Sequence, residues 1–166
     1  MVNVSQYGSA TNQSAISQGP AGGTAWVDQG GTGSSLSAIS QSAAGNAYVY
    51  QNGAGTYMSS ITSSGGGNVY VNQGYDLATN NNNYVTPGTL NSASASTNLS
   101  TVSQSSNSNA YVWQTGNTGY TNASTITQDG TSTGSTAVVW QQAANASNTS
   151  IISQSGGANS AYVHQH

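Results

Sequence analysis

Five side chains in this 166-residue sequence carry a carboxylate or an imidazole: Asp28, Asp76, Asp129, His164 and His166. Lys, Arg, Glu and Cys do not occur. General acid–base chemistry needs two such groups side by side, and a serine nucleophile needs a base within hydrogen-bond reach. The three acids are scattered and both histidines sit in the last three residues, so the sequence predicts no enzyme and no cofactor. The closing "HQH" places His164 and His166 on one face of an extended strand. That pair reads either as a weak surface metal site or as an ordinary solvent-facing strand end. The glycine run "SSGGGN", Ser63 to Asn68, lacks the lysine and helix of a phosphate loop and reads as a turn. N-x-[ST] triplets at Asn3, Asn12, Asn98, Asn122, Asn145 and Asn148 are what chance produces in so Asn- and Ser-rich a chain.

With no cations, nothing can neutralise phosphates, which argues against nucleic acid and against an anionic membrane surface. Charged residues are 2% of the chain, against about 25% in ordinary domains. No apolar run approaches the ~20 residues of a membrane helix. No basic, apolar leader follows Met1, so the chain reads as a secreted form whose signal has been removed. Composition alone leaves two classes: a disordered polar chain, or β-structure built on amide and aromatic stacking.

Periodicity separates them. Glutamine recurs at Gln6, Gln18, Gln29, Gln41, Gln51, Gln73, Gln104, Gln114, Gln128, Gln141, Gln154 and Gln165, with Ser63 standing in once. Each ends a short β-branched segment bounded by Gly, Asn or Ser, which marks strands. Two segment types alternate: S-x-[IV]-x-Q, as in "SAISQ", and [AV]-x-V-x-Q, as in "AYVYQ". They form six pairs, with an extra leading strand at Val2 to Gln6. Because strand side chains alternate faces, one face repeats and the other varies. The repeating face holds Ile16, Ile39, Ile61, Val102, Ile126 and Ile152 in the first type, and Val27, Val49, Val71, Val112, Val139 and Val163 in the second. With the glutamines, these are the expected core ladders. The variable face carries an outer aromatic row, Trp26, Tyr48, Tyr70, Tyr111 and Tyr162. It could stack along a fibre or adsorb other surfaces. Asn46, Asn68, Asn109 and Asn159 fall where the chain reverses and are expected in turns.

The expected fold is all-β: an open-ended β-solenoid of about six stacked two-strand rungs, a cross-β arrangement of β-arches. It forms one continuous domain, with rungs over residues 1–75 and 98–166 and an insertion over 76–97. The insertion contains "NNNNYVTPG", whose Pro87 would interrupt a ladder. A long loop there is either functional or mobile. Each rung buries little more than one Ile and one Val, so stability must come from interactions between rungs. End rungs then expose strand edges, and edges recruit other chains. Asp28 and Asp129 read either as brakes on premature assembly or as solubilising acids beside turns.

The repeat resembles that of the curlin family, S-x5-Q-x4-N-x5-Q. "NTSIISQSGGANSAYVHQ", Asn148 to Gln165, matches it except that Asn148 stands where Ser is expected. "SLSAISQSAAGNAYVYQ", Ser35 to Gln51, matches with one residue fewer in the last spacer. The resemblance implies an extracellular, cell-surface amyloid fibre of a biofilm matrix. It also implies head-to-tail self-assembly, a nucleator subunit and passage through an outer-membrane secretion pore. The alternatives are a monomeric β-solenoid surface-binding module, ice-binding or adhesin-like, and a disordered silk-like adhesive. The row Ser17, Ser40, Thr62, Ser103, Thr127 and Ser153 would give the first of these a flat hydroxyl face.

Overall fold

The computed structural model describes residues 1–9, 11–21, 23–74, 96–116, 119–130, 134–143 and 145–166. Their regular structure is entirely β, in thirteen strands. These are β1 (Val2–Gln6), β2 (Thr11–Gln18), β3 (Thr24–Gly31), β4 (Ser34–Gln41), β5 (Asn46–Gly53), β6 (Thr56–Ser63) and β7 (Asn68–Gln73), then β8 (Thr97–Gln104), β9 (Asn109–Gly116), β10 (Thr121–Gln128), β11 (Thr136–Ala143), β12 (Asn148–Gln154) and β13 (Ser160–Gln165). Odd-numbered strands form one seven-stranded parallel sheet, sheet A. Even-numbered strands form a six-stranded parallel sheet, sheet B. The chain therefore coils: each even strand and the odd strand after it make one rung, and β1 is a half rung ahead of them.

Register follows from the repeat. Ile16 pairs with Ile39, Ile39 with Ile61, Ile61 with Val102, Val102 with Ile126 and Ile126 with Ile152. A one-residue slip would turn each of these to solvent, so the buried face fixes the alignment. Ile39, Ile61, Val102, Ile126 and Ile152 on sheet B meet Val27, Val49, Val71, Val112 and Val139 on sheet A in one buried core. Ile16 and Val163, in the first and last rungs, are only partly buried.

Adjacent rungs pack closely enough at the corners to require glycine. Gly31 has φ +93, and a Cβ there would lie 2.3 Å from the Gly53 carbonyl oxygen.

The coil absorbs the insertion without shifting. Thr56 pairs directly with Thr97, and Asn68 with Asn109, across the break. Thr97, expected to close the insertion, instead opens β8 and pairs on both sides, with Thr56 and Thr121. The strand begins there because the column above and below it is also Thr. Ser96 is also described, its carbonyl accepting from the Thr56 N–H at 3.0 Å, while residues 76–95 of the insertion, including Pro87 and Asp76, lie outside the described residues.

Candidate functional site

The side chains that do most in this molecule are amides. In sheet A, Gln6 Nε2 donates to Gln29 Oε1 at 2.7 Å, Gln29 to Gln51 at 2.8 Å and Gln51 to Gln73 at 2.8 Å. The column continues from Gln73 to Gln114 at 2.8 Å, Gln114 to Gln141 at 2.9 Å and Gln141 to Gln165 at 2.7 Å. Every donation runs the same way, toward the C-terminal rung. From Gln29 onward each amide also sends an N–H across to a backbone carbonyl on the facing strand, as from Gln51 to Leu36 at 3.1 Å and from Gln73 to Met58 at 2.9 Å. An unpaired buried polar group is costly, and the five amides from Gln29 to Gln141 spend both donors.

Sheet B carries a second column with a gap. Gln18 donates to Gln41 at 3.0 Å, Gln104 to Gln128 at 2.7 Å and Gln128 to Gln154 at 2.8 Å. Ser63 sits between Gln41 and Gln104 in register. Its hydroxyl bonds instead to the Gly65 carbonyl at 3.1 Å. Gln104 Oε1 is left buried without a partner among the described residues.

Two asparagine ladders complete the set. Asn46 donates to Asn68 at 2.8 Å, and Asn68 to Asn109 at 3.0 Å. These three open β5, β7 and β9 rather than sitting in the turns where they were expected. An amide ladder needs in-register strand positions, which a turn does not supply. Asn159 is not in that column. Its place beside Thr136 is taken by Ser160, because the last turn holds one residue more. Asn159 caps that turn instead, donating to the Ser155 and Gly156 carbonyls at 2.9 and 2.6 Å.

Sequence reasoning passed over the second ladder, Asn148 to Asn122 at 3.1 Å and Asn122 to Asn98 at 2.9 Å. It donates in the opposite direction. The signal was present in the N-x-S triplets of Asn98, Asn122 and Asn148, each six residues before a strand-ending Gln.

The outer aromatic row is stacked only in its middle. Tyr48 and Tyr70 lie 4.8 Å apart, and Tyr70 and Tyr111 5.3 Å, each pair within 7° of parallel. Val138 then interrupts the column, so Tyr162, 60% exposed, is cut off from it. Trp26 is in register with Tyr48, but no ring stacking joins them among the described residues. Beside this row, Tyr111 stacks on Trp113 at 5.9 Å and Trp140 on His164 at 4.3 Å. His164 and His166 have ring centroids 5.0 Å apart, tilted by 44°. Among the described residues no group of three or more His, Cys, Asp or Glu side chains is placed to share a metal ion.

The outer face of sheet B differs. Ser17, Ser40, Thr62, Ser103, Thr127 and Ser153 form one column. Beside it a shallow groove runs over Ala15, Ala38 and Ser60.

The stack ends in four strand edges: β1 and β13 in sheet A, β2 and β12 in sheet B. At the β13 edge Gln165 keeps one amide N–H on the Thr149 carbonyl, at 3.0 Å. The direction of the ladder turns its other N–H outward. At the β1 edge Gln6 turns an acceptor outward. The two ends are therefore complementary in hydrogen-bond sense and in the residues they present. Compared with known family models, curated proteins and solved structures, the chain matches none.

Proposed function

We propose that this chain is a self-assembling structural subunit of an extracellular, amyloid-like fibre of the curli kind, serving a biofilm matrix and adhesion. The observation that carries this reading is the unbroken, one-directional glutamine column of sheet A, running from one sheet edge to the other. A column with an acceptor end and a donor end continues when another copy is added in the same sense. Parallel edges left unpaired recruit further strands. A contact joining unlike ends gives open filaments rather than closed rings. The partner is thus a second copy of this chain, with a nucleator and an outer-membrane secretion pore following from the curlin resemblance.

The test is direct. Purified protein at micromolar concentration forms unbranched filaments under the electron microscope, preformed fragments remove the lag, and aligned fibres diffract meridionally near ~4.8 Å. A chain that stays monomeric under these conditions refutes the proposal. It would then favour the second reading, a surface-binding module using the flat Ser17–Ser153 hydroxyl column of sheet B.

A further inference from the structure

The two sheets do not have the same number of strands, seven against six. The odd one is β1, which among the described residues has no sheet B strand across from it. All five of its residues are exposed, including the inward-turned Val2 and Val4 at 51% and 42%. Consider a second copy approaching this end. If β1 stays, the incoming β13 pairs with β1. The incoming β12 then lies two strand spacings from β2, with an empty row between them. If β1 leaves, β13 takes its place on β3, and β12 falls one spacing from β2. Both sheets then run on without a gap.

We propose that β1 is an internal stand-in for the last strand of a neighbouring copy, and that stacking proceeds by exchange: the neighbour's β12 and β13 dock on β2 and β3 as β1 is released. The inference rests on the self-assembly reading above. Residue matching supports it. β1 sets Val2, Val4 and Gln6 against Ala25, Val27 and Gln29. β13 sets Ala161, Val163 and Gln165 against Ala137, Val139 and Gln141, the same Ala-Val-Gln triad. A neighbour's Gln165 would thus replace Gln6 as donor to Gln29, and its β12 would cover the interior that β1 leaves open.

Asp28 is a second, independent pointer. Its Oδ1 is buried with no hydrogen-bond partner among the described residues. Its in-register neighbours in this chain are Ser5 and Tyr50. The same outward column ends at His164, beside Trp140. Exchange brings the neighbour's His164 next to Asp28, a ring N–H donor beside a carboxylate that lacks one.

Beyond its five-residue ladder with β3, the strap is held by local contacts. The Met1 ammonium donates to the Gly23 carbonyl, Gln6 bonds to Gln29, and the Tyr7 N–H donates to the Gln29 carbonyl at 3.0 Å. The Tyr7 ring lies over Gly30, where a Cβ would come within 2.3 Å of it, and Asn52 donates to the Tyr7 hydroxyl at 3.2 Å.

Paired cysteines test the idea in the full chain, which has none of its own. In filaments of the Asp28→Cys/His164→Cys variant, exchange predicts intermolecular disulfides and a ladder of covalent oligomers on non-reducing gels. The Ser5→Cys/His164→Cys variant should give none. The reverse pattern, or no cross-link in either, overturns the proposal. Separately, Ser5→Cys/Asp28→Cys staples β1 to β3. Oxidised, it should extend seeds roughly tenfold or more slowly than when reduced, because only molecules with the edge vacated can bind. Tyr7→Ala, which loosens the strap, should shorten the lag. Equal growth of the oxidised and reduced forms also overturns the inference. Filaments joined through Ser5 and His164 positions would sink the exchange and leave the proposed function standing. A wild-type chain that never forms filaments would sink both.

Discussion

The two glutamine columns are built from the same residue on the same coil, yet one is continuous and the other is not. Sheet A runs from Gln6 to Gln165 with every link made. Sheet B is cut at β6, where Ser63 replaces the glutamine and Tyr57 replaces the small polar residue at the other end of the strand. A serine hydroxyl is too short to span one strand spacing and satisfies its own turn instead. Its neighbour Gln104 then carries a stranded acceptor. Tyr57, fully buried, fills the space beside Gly55 and Gly74 with a ring and accepts a hydrogen bond from the Gly55 N–H at 3.2 Å. The rung just before the insertion thus exchanges amide pairing for packing. A ladder amide matters through both of its neighbours, so its worth depends on whether they are present.

The largest test removes a fully engaged link. Gln51→Ala strips a donor from Gln73 and Leu36 and an acceptor from Gln29, and should cost about 3–5 kcal/mol by denaturant midpoint in dilute monomer. Gln41→Ala, beside the gap, should cost about half as much, since it breaks only the Gln18 link and one turn bond. Equal losses would erase the contrast between the columns.

Ser63→Gln should repair sheet B. It offers Nε2 to Gln104 Oε1 and an acceptor to Gln41, raising stability by about 1–2 kcal/mol. A drop would mean that the rung has no room for the amide, and that β6 is closed around Ser63 rather than missing a link.

Tyr57 sharpens the same contrast through pH. Burial pushes its phenol above the ordinary value of 10.0, against a smaller opposing effect of the Gly55 N–H. The unfolded chain loses this proton first. The stabilisation is therefore complete below pH 10.0 and lost as pH rises toward the folded value. The expected slope is at most about 1.4 kcal/mol per pH unit. Tyr57→Phe should flatten that part of the alkaline stability curve. An unchanged curve would show that the ring is not as enclosed as β6 implies.

The smallest effect is expected at Ser59, on the same strand, whose buried hydroxyl has no partner among the described residues. Ser59→Ala should change stability by less than about 1 kcal/mol, in the stabilising direction if at all.

Much of this was legible in the residues because the repeat is itself the register. The recurring Gln, Ile and Val positions determine which side chains share a face, and stacking identical units leaves one alignment that buries them all. The errors came where sequence spacing and spatial column part company. Asn159 matched the motif by counting, but an extra turn residue moved it out of the ladder and put Ser160 there. Asn148 was noted as a departure from the expected Ser, whereas in three successive rungs it continues an amide column. Tyr162 shares a row with Tyr111 by alignment, but one intervening Val138 is enough to end ring contact. The exchangeable role of β1 could not be read from the pattern, since it depends on strand count and on which faces lie uncovered.

The join between Gly74 and Ser96 has a practical meaning. Rungs three and four meet as neighbours although the chain takes 21 intervening residues, 75 to 95, to get from one to the next. The coil's geometry is thus indifferent to what is threaded through that seam. A foreign peptide or small folded module grafted there would leave both amide columns with their links, and in the proposed fibre it would recur at one fixed interval per subunit.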